Sequence, residues 1–449
     1  MSYANPDQPQ NPALNSHQEA LVQVVRDVFG FESSSVEVEK DVDLDDLGRN
    51  ANYVGREKTT SPAIASPQEK RRRLFRLQKG AAKLLDYNER VANCRWTVQR
   101  NDEPVQVHLH LSGGEKSGSY AAYHGLQTCA SVWHCPICAR KISEVRRKEL
   151  NTLLKWAQEQ DYKVLMMTLT TRHDWDDELS DQLDRLKQAK RKLRQRRDWK
   201  TIKASGVIIG TVTATEVTYG ERSGWHTHFH ELVIMDVERQ KDGLQIMERL
   251  RQPWVTCLRA VGLDGLAERA FQIQGASAAG TYVSKWGAAE ELSLSGAKQA
   301  KGKGRNPLQL LADAVEHGDD FAGHLWKEFA VAFKGRRQLV WSNGLRDLAE
   351  VEEVTDEEAA EEGQSELMGL IDHTTWTDGG ARFRRVLILE EAENTRDPGA
   401  VFSMVHNHRM HDPETVVTPK PEVLLEPEPK GPPDVLDDGD DLQLGRWAP

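Results

Sequence analysis

The sequence predicts an α+β fold in which a central antiparallel sheet is flanked by helices. Segments rich in β-branched and aromatic residues predict strands at 162–172, 206–219 and 225–236. The last two are joined by GERSG, which has the length and the glycines of a hairpin turn. Around them, segments such as 139–160 and 177–204 repeat apolar residues at the helical spacings of three and four. Strands of antiparallel character with helices between them favour the α+β class.

The chain of 449 residues is longer than a typical domain and divides by composition into four segments. Residues 1–67 are polar and predict a flexible leader, with one short helix near 17–29. Residues 68–150 hold a basic amphipathic helix and a cysteine-containing module, and residues 151–349 hold the predicted strands and their helices. Residues 350–449 are acidic and predict a largely disordered tail with at most a small satellite element.

The net charge of −11 is unevenly distributed along the chain. Residues 70–347 hold 46 Lys and Arg against 33 Asp and Glu, whereas the flanks hold 13 against 37. A basic centre with acidic ends is typical of a nucleic-acid-binding protein. The basic stretches 69–79, 187–200 and 298–305 are candidate phosphate contacts, with plain solvated surface as the alternative for each. The third lacks the spacing and the Ser or Thr of a P-loop, and no helicase or ATPase signature is present.

The composition of the chain also predicts a soluble, cytoplasmic protein without a membrane partner. No stretch approaches the roughly 18 consecutive apolar residues of a membrane helix. The first residues are polar and lack the apolar core of a signal peptide. Five cysteines in a chain of this length do not suggest a disulfide framework.

The stretch SGWHTHFHELVIMD, residues 223–236, places histidines at alternate positions of a predicted strand. His226, His228 and His230 therefore share one face, and Phe229 lies on the other. Three adjacent imidazoles would repel one another if charged, and neutral imidazole is a common metal ligand. The pattern favours a metal site over a solvated polar strand face. It does not choose a reaction, because His-x-His strands also occur in cupin-type oxygenases and zinc hydrases.

The stretch CASVWHCPICARK holds a second candidate metal site. Cys135 and Cys138 form a Cys-x-x-Cys turn that can grip one side of a tetrahedral ion. Cys129 is near in sequence, and Cys94 is the natural fourth ligand. Four protein ligands leave no open position on the ion, so the predicted zinc would be structural.

Other interpretations of these cysteines stay open. His124 and His134 are substitute ligands, and a redox-active Cys-x-x-Cys pair or unrelated buried cysteines are alternatives to zinc. Basic residues follow the pair at once and no thioredoxin-like pattern surrounds it, which favours zinc. Cys257 stands alone and is expected in the core.

The motif GTYVSKW offers a nucleophile for chemistry at the histidine strand. Tyr282 and Lys285 are about one helical turn apart and so share a helix face. Tyrosine can attack a phosphodiester and conserve its energy in a covalent protein–DNA link. A metal would polarise the phosphate, and the lysine would stabilise its charge. Core packing is the alternative role for Tyr282.

Taken in order, these motifs resemble the replication initiator (Rep) proteins of rolling-circle plasmids, within the HUH endonucleases. The resemblance runs from about Cys129 to Arg346. It consists of the following stretches: CPIC with its basic residues, TLT at 168–170, EVTYGERSGWHTHFHELVI, YVSKW, GRNPLQLL and GRRQLVWSNGL. It implies an HUH-like central antiparallel sheet with flanking helices, on one face of which metal and tyrosine meet.

The resemblance also implies roles for single residues. His228 and His230 would hold a divalent metal, with His226 as a third ligand or as a supporting group. If the hairpin turn centres near Arg222, Glu216 lies opposite His228 and can complete the site. A carboxylate beside two imidazoles favours Mg²⁺ or Mn²⁺ over a purely nitrogen-ligated ion.

The implied activity is that of a site-specific DNA endonuclease and strand transferase. Tyr282 would nick one strand of the plasmid origin, link itself to the 5′ phosphate, free a 3′ hydroxyl primer and later rejoin the ends. The implied partners are origin DNA, as a hairpin or a single-stranded nick site, and a host helicase, polymerase and single-strand binding protein; a homodimer is possible. Some family members carry a glutamate four residues before the tyrosine for termination, but Ala278 stands there in this chain.

Three alternatives remain. The first is a transposase or relaxase of the same superfamily, but the WSNGL region and the missing transposon-type domains weigh against it. The second is a zinc-stabilised DNA-binding regulator without nicking activity, which would bind the origin without any need for Tyr282. A cupin-like oxygenase would need iron and no DNA, and it leaves the cysteines and the charge distribution unexplained.

Overall fold

The computed structural model of the chain describes residues 66–110, 120–284, 304–360, 365–408 and 412. All of them belong to one compact unit, which begins at Ala65. The predicted leader and its short helix lie outside the described residues, as does most of the basic stretch 298–305.

The described residues form two antiparallel sheets. Their strands are β1 Val105–His110, β2 Tyr120–His124, β3 Lys163–Thr170, β4 Ile208–Gly220, β5 Gly224–Met235, β6 Phe271–Gln274, β7 Leu339–Trp341 and β8 Glu366–Ile371. The larger sheet has the order β6-β3-β5-β4-β7, and the smaller sheet has the order β2-β1-β8. Each strand pair is antiparallel, so the predicted mixture of antiparallel sheet and helices is confirmed.

Helices surround both sheets. They are α1 Pro67–Leu84, α2 Pro136–Glu159, α3 Leu179–Gln195, α4 Arg197–Ala204, α5 Gln240–Glu248, α6 Arg251–Arg259, α7 Ala267–Ala270, α8 Ala276–Ser284, α9 Pro307–His317, α10 Asp320–Phe333, α11 Leu345–Leu348, α12 Asp356–Ala359, α13 His373–Thr377, α14 Arg385–Thr395 and α15 Pro398–Val405, with short 3₁₀ turns at Arg90–Ala92 and Ala381–Arg384. Within the part of the chain that the structure describes, no helix is long and apolar enough to cross a membrane.

The β4–β5 hairpin is the backbone of the larger sheet. The two strands pair from Ile208 opposite Met235 to Gly220 opposite Gly224, and Glu216 lies opposite His228 as the sequence predicts. Gly224 has a φ of +69°, and a Cβ there would lie 2.6 Å from the carbonyl oxygen of Asp174. The turn therefore needs glycine both for its backbone conformation and for the loop that packs against it.

The two faces of the larger sheet carry different cores because side chains alternate along each strand. On one face, Leu232 and Ile234 of β5 pack with apolar residues of α2 and α8. On the other, Phe229 and Val233 pack with apolar residues of α3, α5 and α6. The even-numbered residues of β5, which include the three histidines, therefore belong to the α2–α8 face.

The smaller sheet packs in a further core, which includes residues on both sides of the predicted domain boundary at residue 150. This core gathers β1, β2 and β8, the four clustered cysteines, and apolar residues of α1, α9, α10, α14 and α15. Helix α2 joins it through Ile142 and joins the larger sheet's core through Leu150 and Leu153. A division between 68–150 and 151–349 would cut this continuous helix, so the two segments share structure.

The acidic C-terminal region also differs from its prediction. Residues 365–408 are not disordered: they supply the edge strand β8 and the helices α13 to α15. Met368, Ile371 and Trp376 are buried in the core of the smaller sheet, because apolar residues recur among the acidic ones. The segment is thus a part of that core and not a satellite of it, and residues 413–449 lie outside the described residues.

The basic stretch 69–79 in helix α1, a predicted DNA contact, forms ion pairs within the protein. Its arginines pair with glutamates of α9 and α14: Arg71 with Glu393, Arg72 with Glu390 and Arg73 with Glu316. The helix begins with a capping box between Ser66 and Glu69, as its sequence favours. The basic stretch 69–79 therefore has a structural use that its composition did not reveal.

Candidate active site and cysteine cluster

Three side chains of the β4–β5 hairpin converge on the α2–α8 face. The Nε2 atoms of His228 and His230 lie 3.4 and 3.6 Å from one carboxylate oxygen, Oε2 of Glu216. Strand alternation puts both histidines on one face, and cross-strand pairing brings Glu216 to them. One ligand atom from each of the three lies within 4.8 Å of the others, so this group can hold a metal ion.

The donor set fits a divalent cation. Adjacent ligands on an ion that binds at about 2.1 Å lie roughly 3.0 to 3.5 Å apart, depending on coordination geometry. The separations of 3.4 and 3.6 Å require only a small adjustment of the side chains. The side chains of His228 and His230 are 12% and 16% exposed, whereas that of Glu216 is 39% exposed. The imidazoles are thus shielded while the carboxylate borders solvent, where a further ligand can enter.

Tyr282 of α8 reaches the same carboxylate. Its hydroxyl donates a hydrogen bond of 2.8 Å to Oε1 of Glu216, the oxygen that does not face the histidines. Its ring lies 4.8 Å from the ring of His230, measured between centroids. The structure therefore brings together the predicted nucleophile and three predicted metal ligands. Lys285, the other predicted catalytic residue, lies outside the described residues.

His226 has different surroundings. Its Nε2 atom is 3.1 Å from the hydroxyl of Thr170, and its ring stacks between those of His173 and His228 at 4.8 and 4.9 Å. Among the described residues it is not part of the group that Glu216 joins. This geometry suits a supporting side chain better than a metal ligand.

The electrostatics favour cation binding. Burial, helped by the neighbouring histidines, lowers the pKa of His226 to about 4. Burial, helped by His228, also lowers the pKa of His230 to about 4, although the Glu216 carboxylate acts to raise it. Burial raises the pKa of Glu216, but its hydrogen bond with His228 and the two histidine charges outweigh burial and hold it at about 2. Burial, together with the Glu216 carboxylate, raises the pKa of Tyr282 well above its usual range. Neutral imidazoles and an ionised carboxylate are the forms that bind a cation.

Two threonines of β3 were missed by the sequence reasoning. Thr168 lies opposite His230 in the sheet, and its hydroxyl is 3.0 Å from Nδ1 of that histidine. A ligand Nε2 must be unprotonated, so Nδ1 then carries the proton and donates it to the Thr168 hydroxyl. The hydroxyl of Thr170, which lies opposite His228 in the sheet, is instead 3.1 Å from Nε2 of His226. The alternating TLT motif at the register of the histidines is the signal that would have indicated them.

The opposite face of β5 is anchored by a buried ionic cluster. Glu231 is fully buried and pairs with Lys190, at 3.2 Å, and with Arg194 of α3. The ammonium of Lys190 also bonds the hydroxyl of Thr213 on β4. The alternation of side chains along β5 predicts that Glu231 lies on the face opposite the histidines. Only the packing of α3 on that face provides its partners, Lys190 and Arg194. Glu231, the residue that follows His230, is therefore held by ion pairs on the face of β5 opposite the histidines.

The four predicted cysteines form one cluster. The Sγ of Cys138 is 3.6 Å from those of Cys94 and Cys129, and the Sγ atoms of Cys94 and Cys135 are 3.7 Å apart. Four sulfurs at about 2.3 Å around a tetrahedral ion would lie roughly 3.8 Å apart, far beyond a disulfide's 2.05 Å. All four are buried and free, so the cluster can hold a metal ion.

The predicted substitute ligands are occupied elsewhere or lie apart from this cluster. The Nε2 atom of His134 is 2.8 Å from the carbonyl oxygen of Ala330, and His124 stacks with His108 on the smaller sheet. Cys257 is buried in the core of the larger sheet.

Comparison with known families finds a match for part of the chain. Residues 122–261 match the model of the family described as Replication protein, so this segment is similar to that family. The matched segment contains Glu216, His228 and His230, whereas Tyr282 and Cys94 lie outside it. The match confirms the resemblance to plasmid replication initiators that the motifs indicate.

Individual relatives agree with the family match. A "Protein rep" of Streptomyces lividans is 26% identical over 295 residues, which cover 50% of this chain and 64% of the relative. A "Protein rep" of Staphylococcus aureus is 31% identical over 136 residues, covering 30% of this chain and 56% of the relative. A "Neomycin resistance protein" of Streptomyces cyanogenus is 28% identical over 136 residues, covering 25% and 31%. The chain spans less than two thirds of each of them. No solved structure matches the chain.

Proposed function

We propose that this chain initiates rolling-circle replication by nicking one strand of a plasmid origin. The observation that carries the proposal is the Glu216 carboxylate, which contacts the Tyr282 hydroxyl with one oxygen and faces His228 and His230 with the other. A nucleophile for phosphodiester transfer and a set of cation ligands thus share a single side chain. The family match supplies the class of DNA substrate.

The proposed reaction follows from the positions of these side chains. The Tyr282 oxygen attacks the scissile phosphorus, forms a P–O bond to the protein and displaces the 3′ oxygen, which takes up a proton from solvent. The Glu216 carboxylate accepts the phenolic hydrogen bond and so orients the Tyr282 oxygen, and the phenolic proton leaves to solvent as the P–O bond forms. A divalent cation bound by Glu216, His228 and His230 would polarise the phosphate, and the carboxylate in the set favours Mg²⁺ or Mn²⁺. Lys285 is proposed to stabilise phosphate charge.

The products are a 5′-phosphotyrosine link and a 3′ hydroxyl that a polymerase can extend. Attack of a 3′ hydroxyl on the phosphotyrosine reverses the step and rejoins the ends. A host helicase, polymerase and single-strand binding protein would act around this nick, since the sequence has no helicase or ATPase signature. An HUH-type arrangement of the larger sheet is part of the same proposal.

The cysteine cluster is proposed to be a structural zinc site. Its four sulfurs leave no position open for a substrate, and they tie the segment around Cys94 to the start of α2. Because α2 also packs on the α2–α8 face of the larger sheet, zinc would steady the helix beside the candidate active site.

The test is adduct formation on DNA. Purified protein with Mn²⁺ or Mg²⁺ is incubated with labelled single-stranded oligonucleotides that tile its plasmid's presumed origin, and adducts are resolved on denaturing gels. A metal-dependent adduct that is lost in Tyr282→Phe and His228→Ala is the expected result. Tyr162→Phe and His324→Ala, which change the same residue types away from the site, serve as controls and keep the adduct.

Binding without an adduct across all oligonucleotides and metals would overturn the proposal. It would favour the alternative of a zinc-stabilised DNA-binding regulator, for which Tyr282→Phe changes nothing. If the adduct persists in Tyr282→Phe, the proposed nicking activity would stand, but Tyr282 would not be its nucleophile.

A further inference from the structure

We propose that α3 and α4 carry a second nucleic-acid surface, which binds the backbone of double-stranded DNA on the sheet face opposite Tyr282. The surface, here called the basic ridge, consists of Arg191, Lys192, Arg197 and Lys200. The proposal rests on the proposed function only in taking DNA as the substrate of the Tyr282 site.

The four cations lie on the solvent-exposed sides of two consecutive helices whose buried residues pack in the same core. In α3, Leu186, Ala189 and Leu193 are fully buried against the sheet, while Arg191 and Lys192 belong to the opposite, exposed stripe. The chain leaves the helix for one extended residue and re-enters a helix at Arg197. In α4 the buried positions are Trp199 and Ile202, which leaves Arg197 and Lys200 exposed.

The ridge's charges are available to a ligand. None of its four side chains forms an ion pair with any residue that the structure describes, in contrast with the arginines of α1. The nearby Arg196 is paired with Asp198, and Arg194 with the buried Glu231, so neither is counted. Four unpaired cations within ten residues of the chain are unfavourable for the free protein and favourable beside phosphates.

The ridge and the candidate active site cannot contact the same short strand of DNA. Helix α3 packs on Phe229 and Val233, the side of β5 that points away from the histidines. A sheet and its helix layer place roughly 10 Å of protein between the two surfaces. DNA at the ridge is therefore a different segment from DNA at Tyr282, such as the duplex that flanks a nick site.

Side-chain chemistry distinguishes a duplex from a single strand. Proteins hold single strands by stacking bases on exposed aromatic rings, besides using charge. The one aromatic residue of α3 and α4 is Trp199, which is buried beneath the guanidinium of Arg194 at 3.4 Å. On the histidine side, by contrast, the indole of Trp175 is 72% exposed, in the loop that packs against the hairpin turn. The ridge offers charge alone, which suits the phosphate backbone of a duplex.

The experiment compares two DNA forms in one set of variants of the full chain. Arg191, Lys192, Arg197 and Lys200 are changed together to Gln, and a control changes Lys148, Lys241, Arg249 and Arg269, which are equally exposed and unpaired among the described residues. Binding of a 30-base-pair duplex is measured by fluorescence anisotropy across a salt series. Adduct formation is measured on a short single-stranded oligonucleotide that is cleaved by the wild type.

Loss of four phosphate contacts should reduce the slope of log K against log salt by about 3.6, so that between 50 and 200 mM salt the wild type loses roughly 150-fold more affinity than the ridge variant. The control should keep the wild-type slope, and circular dichroism should show both variants folded. Adduct formation on the short oligonucleotide should be unchanged in the ridge variant.

An unchanged slope for the ridge variant would overturn the proposal, as would an equal loss of slope in the control, which would indicate diffuse charge. Loss of adduct together with duplex affinity in the ridge variant would also overturn it, because it would make the two surfaces one. If the wild type makes no adduct on any oligonucleotide but the ridge variant alone loses duplex affinity, the nicking proposal fails and the ridge stands.

Discussion

The hydrogen bond between Thr168 and His230 gives a sharp test of the metal site. Thr168→Val removes the hydroxyl with little change of shape, so the Nδ1 proton of His230 loses the partner that it has at 3.0 Å. An unsatisfied, mostly buried donor is unfavourable by about 1 to 3 kcal/mol. The ring can avoid that loss by rotating or by moving its proton to Nε2, and either change removes a metal ligand.

The expected effect is on cation affinity. Loss of such a supporting hydrogen bond typically weakens metal binding about 10- to 100-fold, which is roughly 1.4 to 2.8 kcal/mol. Mn²⁺ affinity of the variant would be measured by isothermal titration calorimetry at pH 7.5. Thr168→Ser keeps the hydroxyl and should restore most of the affinity, which separates the hydrogen bond from strand packing.

Thr170→Val is the comparison variant. It removes the hydrogen bond between the Thr170 hydroxyl and Nε2 of His226, together with the hydroxyl's bond to the carbonyl oxygen of Thr227. If His226 only supports the site, Mn²⁺ affinity should change little in this variant. Wild-type affinity in Thr168→Val, or a larger loss in Thr170→Val than in Thr168→Val, would refute the assignment of His230 and favour His226 as the ligand.

Three further predictions concern other parts of the molecule. Cys94→Ser should remove bound zinc from the purified protein, as measured by elemental analysis, and should lower its melting temperature. The control Cys257→Ser should keep its zinc, because Cys257 lies in a different core. Zinc retained in Cys94→Ser would show that Cys94 is not a ligand. Trp175→Ala should weaken single-stranded DNA binding by about 1 to 3 kcal/mol in anisotropy titrations while Phe402→Ala, another exposed aromatic change, does not. Because burial lowers the pKa of His226 and His230 to about 4, below the unfolded value near 6.5, the unfolded chain binds more protons between these values. Stability in EDTA should therefore be full above about pH 6.5 and fall as the pH drops towards 4, and a flat melting temperature from pH 7 to 5 would contradict the burial of these imidazoles.

Much of the candidate site follows from local sequence patterns. Alternation along one strand puts the histidines on one face, and a hairpin with a short turn fixes which residue lies opposite, so Glu216 could be named from spacing alone. The Cys-x-x-Cys turn likewise predicts half of the cysteine cluster from a local constraint. Such features depend on few residues that are close in sequence, and that is why a sequence can reveal them.

Other features depend on contacts between distant segments. Arg71 and Arg72 have the composition of a DNA-binding helix, yet they are paired because α14, more than 300 residues later, returns beside α1. The acidic region after residue 350 has the composition of a disordered tail, yet β8 adds to a strand at 105–110. Composition reports the average charge of a segment and not the partner that the fold brings to it.

The sequence by itself indicated the two groups of candidate metal ligands, the tyrosine on a helix and the antiparallel hairpin, because each depends on local spacing or on the fixed periods of strand and helix. Only the tertiary structure decided that Tyr282 donates to the second oxygen of Glu216, that Thr168 contacts His230, and that the four cations of the basic ridge form no ion pair with any described residue. Those facts depend on how helices dock on the sheet, and docking is set by the packing of many side chains at once.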